Sequence, residues 1–463
     1  MRTRYLYLLL PLALAGCAAG PNYKRPAVSI PAQFPGVAAS SASLADKKWA
    51  EMFQDETLKQ LISEALEKNF DLGIASQRVL ETRAQYRITG AAQYPYLAAQ
   101  GQFATVRSSS VGSQISVTPG TPLDASYAQV GGGLSWELDF WGRVRRLKES
   151  ARAQYLATEE ARNAVVVSLV SDTAGGYFSL RERDLELEIA QGTRDIAENN
   201  LRLVQLRHDR GATAGLEVHQ AEQFLYTATA QIARVERDIA QAENALNLLL
   251  ARAPGPIARN KAARDFSLPV QVPPGLPSSL LERRPDIRRA EQQLIAANAQ
   301  IGVAKAYYFP QISLTGFLGG QSRALTDLFT GPARLANVTP AAAVPIFAAG
   351  QVRAGVRLSE AQKTEMVIAY QKAIYTGLRE VSDALVSYDR TREQRAQEDR
   401  LVNALQESAR LSKLRYQGGM DSYLQVLDAE RNLFQGRLTL AQLRLAEVLS
   451  YVELYRALGG GWQ

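Results

Sequence analysis

The stretch that decides the fold is residues 129–143, which reads QVGGGLSWELDFWGR. Over residues 129–140, apolar side chains such as Leu134 alternate with polar or small ones such as Glu137 and Asp139. A period of two, with one apolar and one polar face, is typical of a β-strand between lipid and water. We therefore predict a membrane strand here, with the carboxylates of Glu137 and Asp139 facing an aqueous lumen.

Three weaker runs of the same kind predict two β-hairpins, over residues 97–140 and 311–347. Polar loops over residues 108–126 and 320–337 separate the strands of each hairpin, and we expect them to be extracellular. Four strands are too few to close a barrel, which needs about eight. The chain is therefore expected to oligomerise, and the strands alone leave a dimer or a trimer open.

A long helical segment without proline follows each hairpin, over residues 143–209 and 351–416. About 66 residues at roughly 1.5 Å per residue would form a rod of about 100 Å. Ile189, Ile196 and Leu203 recur every seven residues, which is coiled-coil spacing. We therefore predict two rods of coiled-coil type.

Glycine turns end both rods, at Gly211 in the first and at Gly418 and Gly419 in the second. Thr213 and Asp421 follow these turns and are expected to act as N-caps of two returning helices. A rod with barrel strands at one end and a hairpin tip at the other fits a tube that crosses the periplasm.

The chain is an internal duplication. A shift of 208 residues places Leu216 on Leu424, and an earlier block matches at a shift of 215, which places Pro95 on Pro310. The first copy therefore carries seven additional residues between the two blocks, a length change that a surface loop tolerates.

The duplication predicts the organisation of the chain. Each copy should contain a first helix, a hairpin, a long helix and a return helix. The predicted segments are a signal peptide (1–16), a lipid-anchored extended segment (17–56), the first copy (57–250), a proline-rich connector (251–277), the second copy (278–458) and a tail (459–463). The first helices are predicted over residues 57–92 and 278–307, and the return helices over residues 213–250 and 421–458.

The N-terminus carries an export signal. Arg2 and Arg4 precede an apolar run over residues 6–14 that is too short to span a bilayer, which predicts a signal peptide. The tetrapeptide LAGC ends at Cys17, the single cysteine of the chain, and resembles the lipobox of acylated bacterial lipoproteins. An ordinary signal peptide with an incidental cysteine is the alternative. Ala18, in place of aspartate, favours sorting to the outer membrane.

Composition and motifs argue against nucleic-acid binding, metal binding and enzyme activity. The formal net charge is +7, but opposite charges are interspersed, which is typical of solvated helix faces and not of a nucleic-acid patch. His208 and His219 are the only histidines; two lone imidazoles make a poor metal site and leave none for a catalytic triad elsewhere. We therefore expect no enzyme activity, no cofactor, no bound metal and no nucleic-acid partner.

Four stretches, one of them within residues 129–143, carry a family resemblance. They are GPNY at 20–23, WELDFWGR at 136–143, RRPDI at 283–287 and LYRALGGGW at 454–462. With these motifs, and over nearly its whole length, the chain resembles the outer-membrane factors of the TolC-like superfamily, in the lipoprotein branch of the OprM and NodT type.

The resemblance implies a fold and partners. The expected fold is mainly α with membrane β: a homotrimer whose 12-stranded β-barrel is continuous with a long periplasmic α-helical barrel. The expected location is the outer membrane, lipid-anchored and extending into the periplasm. The expected partners are outer-membrane lipid, a periplasmic adaptor and an inner-membrane transporter, often of the resistance-nodulation-division type. Antibiotics, dyes, detergents, solvents or metal ions are the substrates that such a family handles.

The resemblance also implies a gate at the periplasmic tip. The residues that match the family's leucine and aspartate rings are Leu424 and Asp428. Three aspartates near one axis would favour cations, whereas the repeat mates Leu216 and Gln220 offer no acidic ring. Ordinary helix packing for Leu424, and a solvated charge for Asp428, are the alternatives.

A tyrosine and an arginine help to lock the family's closed state. Tyr416 matches the tyrosine, but Gln417 replaces the arginine, which leaves the lock in question unless Arg415 or Arg210 substitutes.

Three functions follow from these features. The first is an exit duct for drugs or other small toxic solutes in a tripartite efflux system. The second is an outer-membrane duct for type I protein secretion. The third is a structural coiled-coil lipoprotein without a pore. Lipidation and the four motifs favour the first.

Overall fold

The computed structural model describes residues 18–35, 42–107, 109, 123–259 and 272–462. The predicted signal peptide, the predicted lipid anchor Cys17, residues 36–41, most of the predicted first extracellular loop, part of the connector and Gln463 lie outside the described residues. The chain separates into two compact units. Of the described residues, 18–27 join Val79–Thr158 and Ala290–Tyr370 in the first unit, and the remainder form the second.

Helices make up most of the described chain. They share the same order in the two copies, with a short or interrupted first helix before the hairpin, a long helix after it and a return helix. Their bounds are α1 (Trp49–Met52), α2 (Glu56–Lys68), α3 (Phe70–Ala91), α4 (Arg143–Asp209), α5 (Gly215–Leu249), α6 (Leu280–Arg283), α7 (Pro285–Ala306), α8 (Gln351–Gln417) and α9 (Tyr423–Ala457).

The core of the second unit forms around α2. Leu58 and Ile62 of this helix are fully buried against Tyr177 of α4, Leu246 of α5 and Val452 of α9. Burial of such side chains contributes roughly 1.5–3 kcal/mol each. The core therefore joins helices from both copies, since α4 and α5 belong to the first copy and α9 to the second.

The two first helices are interrupted, which differs from the single helices predicted over residues 57–92 and 278–307. Asn69 separates α2 from α3: its side chain accepts from the Leu72 amide at 3.0 Å and donates to the Leu249 carbonyl at 2.9 Å. In the second copy Arg284 adopts an extended conformation between α6 and α7, as expected for a residue before proline.

A four-stranded antiparallel sheet lies in the first unit, in the order β1-β2-β3-β4. Its strands are β1 (Tyr96–Arg107), β2 (Asp124–Leu138), β3 (Gln311–Ser322) and β4 (Arg334–Ala343). Both predicted hairpins are present, and β2 of the first copy pairs with β3 of the second, for example Leu134 with Gly316. The copies therefore share one continuous sheet.

The strand ends differ from the prediction. β2 begins at Asp124 and ends at Leu138, so the predicted loop over 108–126 is shorter and Asp139 and Phe140 lie beyond the strand. β3 ends at Ser322 and β4 begins at Arg334, so the loop between them is shorter than the predicted loop over 320–337. β4 ends at Ala343, before the predicted end of the hairpin at 347.

Among the residues that the structure describes, no helix is both long and apolar enough to cross a membrane.

Candidate functional site

Both long helices end in the same backbone turn, at the connections α4–α5 and α8–α9. Gly211 and Gly419 have φ values of 70° and 75°, in the left-handed region that favours glycine. At the first turn the amide of Gly211 donates to the His208 carbonyl, and the amide of Ala212 donates to the Arg207 carbonyl, both at 2.8 Å. These two bonds define a Schellman motif.

The second turn repeats this arrangement. The amide of Gly419 donates to the Tyr416 carbonyl at 3.0 Å, and the amide of Met420 donates to the Arg415 carbonyl at 2.9 Å. Of the two predicted glycines, Gly419 holds the left-handed position, whereas the amide of Gly418 still donates to the Leu414 carbonyl at 3.0 Å. The two copies therefore reverse direction by an identical hydrogen-bond pattern.

The predicted N-caps, Thr213 and Asp421, do not cap the return helices. The N-cap positions are Ala214 and Ser422, and neither makes a side-chain cap. Asp421 instead accepts from Arg415 Nε at 2.6 Å. Each connection between the helices is one residue longer than the sequence pattern suggests. Thr213 and Asp421 therefore lie one residue before the N-cap positions.

Leu424 and Asp428 lie one helical turn apart on the exposed face of α9. Leu424 is 53% exposed, and Asp428 is also exposed and accepts from Asn432 Nδ2 at 3.3 Å. The opposite face, with Val426 and Leu427, is buried. An apolar and an acidic side chain are thus presented together, away from the packed face of the tip.

Behind this face lies a tip cluster that joins the two copies, composed of Arg207, Glu217, Tyr416 and Tyr423. Tyr416 is 7% exposed, and its hydroxyl donates to Glu217 Oε2 at 3.2 Å. The Arg207 guanidinium lies 4.7 Å from the centre of the Tyr416 ring, within cation–π distance. Burial raises the pKa of Tyr416 and raises that of Tyr423 to about 12, so both hydroxyls stay protonated at neutral pH.

Sequence reasoning missed Arg207 and Glu217. The sequence offers Arg415 or Arg210 as substitutes for the arginine that Gln417 replaces, and Arg415 pairs with Asp421 within its own turn. The signal that could have found Arg207 is the repeat itself, because the shift of 208 places Arg207 on Arg415.

The two histidines of the first tip have separate partners. His208 Nδ1 lies 3.0 Å from the Thr213 carbonyl oxygen, and His219 Nδ1 lies 2.9 Å from Glu222 Oε2. Within the described ranges, no group of three or more His, Cys, Asp or Glu side chains is arranged to hold a metal ion.

The two carboxylates predicted to line the lumen have different surroundings. Glu137, in β2, accepts from Arg143 Nε at 2.7 Å and from Nη2 at 2.5 Å. Asp139 lies after the strand, and its carboxylate accepts from the amides of Val144 at 3.0 Å and Arg145 at 2.8 Å. Asp139 therefore caps the start of α4, where a negative charge is favourable, and is not a strand residue.

The segment that follows Cys17 is bound to this strand–helix junction. We call residues 18–25 the anchor segment. The Ala19 amide donates to the Trp141 carbonyl at 2.8 Å, and Arg146 donates to the Ala19 carbonyl at 3.1 Å and to Asn22 Oδ1 at 2.8 Å. Arg25 pairs with Glu291 of α7 at 2.7 Å. Ala19, two residues after Cys17, is thus held where β2 meets α4.

Comparison with known proteins gives a match over both copies. Residues 61–252 and 276–460 match the family model described as outer membrane efflux protein. The solvent efflux pump outer membrane protein SrpC of Pseudomonas putida is 39% identical over 470 residues, covering 100% of this chain and 99% of the relative. The cation efflux system protein CusC of Escherichia coli O6:H1 is 37% identical over 465 residues, covering 99% of each.

A solved structure has the same architecture. The crystal structure of a membrane protein from Pseudomonas aeruginosa superposes with a TM-score of 0.88 at 35% identity, covering 96% of this chain and 98% of the other.

Proposed function

The chain belongs to the outer membrane efflux protein family and is the outer-membrane channel component of a tripartite efflux system; from this premise we propose that it forms a passive exit duct for small toxic solutes, gated at its helix tips. The observation that supports this most directly is the family match over both copies. The TolC-like fold and the outer-membrane location expected from the resemblance are confirmed. Type I protein secretion is not favoured, because the relatives are efflux proteins.

We propose that the duct is a homotrimer anchored by acylated Cys17. Within the described sheet, β1 and β4 each pair on one side only. Unpaired strand edges are not tolerated in lipid, and three copies of four strands would supply a closed ring of twelve. The hydrogen bonds between the anchor segment and the β2–α4 junction would hold the acyl chains beside the membrane strands.

The proposed cargo and partners rest on the relatives. SrpC is named for solvent efflux and CusC for cation efflux. We infer that this chain exports solutes of the same broad range, with a periplasmic adaptor and an inner-membrane transporter of the resistance-nodulation-division type. Both relatives are named for efflux, which supports a purely conductive role.

The gate is proposed to consist of Leu424 and Asp428, which in a trimer would form an apolar and an acidic ring. The tip cluster is proposed to hold this gate closed, because Tyr416 links the hairpin that carries the gate to Arg207 and Glu217 of the other copy. An arginine at position 417 would then not be required for the lock, since Arg207 supplies the cation from the other hairpin.

Replacing Asp428 by asparagine is expected to lower cation selectivity several-fold, because the acidic ring would lose its charge while keeping its size. The measurement is the reversal potential of the purified protein in a planar bilayer under a salt gradient. Glu407→Gln is the matched control, since Glu407 is an exposed helix carboxylate paired with Arg410. An unchanged reversal potential in Asp428→Asn would place Asp428 away from the conduction path, and absence of any conductance would favour the structural lipoprotein.

Removing the tip cluster is expected to raise spontaneous opening. The Tyr416 hydrogen bond contributes about 1 kcal/mol and the cation–π contact about 0.5–1 kcal/mol. The double variant Arg207→Ala with Tyr416→Phe should therefore increase the open fraction roughly tenfold. Single-channel recording measures this fraction, with Arg410→Ala as control because Arg410 pairs with Glu407 on its own helix. Equal open fractions in both variants would show that the cluster does not restrain the gate.

A further inference from the structure

A pair of carboxyl groups is buried in the periplasmic helices, outside the proposed gate. Glu182 and Glu186 lie one turn apart on α4 and are 9% and 8% exposed. Glu186 Oε1 accepts from Gln442 Nε2 of α9 at 3.1 Å. Glu182 Oε1 is buried and has no hydrogen-bond donor among the described residues. Two charged carboxylates with so few donors would be strongly destabilising in this position.

The surroundings do not neutralise two negative charges. On α4, the charge of Arg183 attracts the Glu182 carboxylate, but the same charge also attracts the Asp238 carboxylate of α5. On α9 the partner is the neutral Gln442, while Arg444 is paired with Asp399 of α8. Burial, and then the charge of Glu186, raise the pKa of Glu182 to about 8.

We propose that Glu182 and Glu186 form a proton-binding site that holds one shared proton and joins α4 to α9 through Gln442. Glu182, as the neutral acid, donates a hydrogen bond to the Glu186 carboxylate, and Glu186 accepts a second hydrogen bond from Gln442. Loss of the proton to water leaves two adjacent charges that repel each other. The ligand is a proton, and the site lies between helices of different copies.

The site goes beyond the proposed exit duct because it would make that duct sensitive to pH. The gate residues Leu424 and Asp428 are on α9, the helix that Gln442 ties to α4. The shift of 208 places Glu182 and Glu186 on Arg390 and Gln394, so the second copy has no such pair. A change in protonation would therefore act on the contact between α4 and α9, with no equivalent carboxyl pair in the second copy to respond in the same way.

The sign of the effect follows from the raised pKa. The folded protein binds this proton more tightly than the unfolded chain, whose glutamate titrates at about 4.5. The stabilisation is complete below that pH, and it is lost as the pH rises towards and through about 8. We expect the thermal midpoint of the full-length protein in detergent to fall over this window.

The decisive variant is Glu182→Gln, which keeps the size of the side chain and supplies a permanent donor to Glu186. Its midpoint should be nearly independent of pH between about pH 6 and about pH 9, whereas the unmodified protein and the exposed control Glu188→Gln should both show the fall. Hydrogen-exchange protection of α4 and α9 near these residues, measured relative to the intrinsic exchange rate at each pH, should fall at high pH in the unmodified protein but not in Glu182→Gln.

Three outcomes would overturn the proposal. The first is an equal pH dependence of Glu182→Gln and the unmodified protein. The second is a pH-independent midpoint in the unmodified protein. The third applies if Glu182→Gln does not fold: Glu186→Gln then takes its place, and a pH dependence as large as that of the unmodified protein contradicts a shared proton, because burial of Glu182 alone would then account for it. Channel conductance does not enter these readouts, so failure of the exit-duct proposal would be recognised separately.

Discussion

Replacing Asp55 by alanine is expected to lower the free energy of unfolding of the helical core by about 3–5 kcal/mol. Asp55 Oδ1 caps α2 by accepting from the amides of Thr57 at 2.9 Å and Leu58 at 3.3 Å. Its other oxygen accepts from the Tyr177 hydroxyl at 2.7 Å and lies 3.5 Å from Arg181 Nη1. Alanine removes all of these contacts together.

The loss is large because the pair is buried. The side chains of Asp55 and Arg181 are only 6% and 10% exposed, so water cannot replace the carboxylate beside the guanidinium. A lost N-cap alone would cost about 1 kcal/mol. Asp55→Asn keeps the cap but not the charge. Its free energy of unfolding should therefore lie between those of Asp55→Ala and the unmodified protein.

Thermal and denaturant unfolding in detergent measure the effect. Asp71→Ala is the matched control, because Asp71 is an acidic residue in the first turn of α3 and is exposed. If Asp55→Ala unfolded at the same midpoint as Asp71→Ala, the buried contacts of Asp55 would contribute little.

The second large effect is expected from Gly20→Ala, which should detach the anchor segment. Gly20 has a φ of 85°, and a Cβ at this position would lie 2.5 Å from the Gly302 Cα and 2.9 Å from its nitrogen. These are backbone atoms of α7, so a rotamer change cannot relieve the overlap. The left-handed conformation costs a further 1–2 kcal/mol, approximately, for a residue with a side chain.

Detachment would release the hydrogen bonds of Ala19 to Trp141 and of Arg146 to Asn22. Protease added to the purified protein should then cleave within residues 18–25, and the amount of protein in the outer membrane should fall several-fold. Gly73→Ala is the control, because a Cβ there meets no atom within 4 Å. Equal protease resistance in the two variants would contradict the proposed role of the glycine contact.

The sequence predicts the sheet well because alternation is a local property. The pattern in residues 129–143 placed β2, but it did not show where the strand stops, since Asp139 continues the alternation while its carboxylate caps α4. The sequence does not indicate the helix break at Asn69 for a related reason. The Asn69 amide side chain ends one helix and begins the next, but the apolar pattern continues across it.

The candidate site was predicted in part. Leu424 and Asp428 share a face because residues four apart on a helix always do. The partners of Tyr416 could not be derived from its own neighbourhood, because Arg207 and Glu217 belong to the other copy. Thr213 and Asp421 were misassigned since residue type indicates a cap but not the length of the preceding turn.

The identical turns at Gly211 and Gly419 make the bend of each hairpin independent of the side chains that follow it. Each reversal is determined by main-chain bonds and one glycine, so the residues that follow could change without loss of the bend. Under this shared bend, the second copy carries a carboxylate at position 428 where the first has an amide at position 220. If Asp428 forms the proposed acidic ring, exchanging these few side chains between the hairpins is expected to change the preference of the pore for ions.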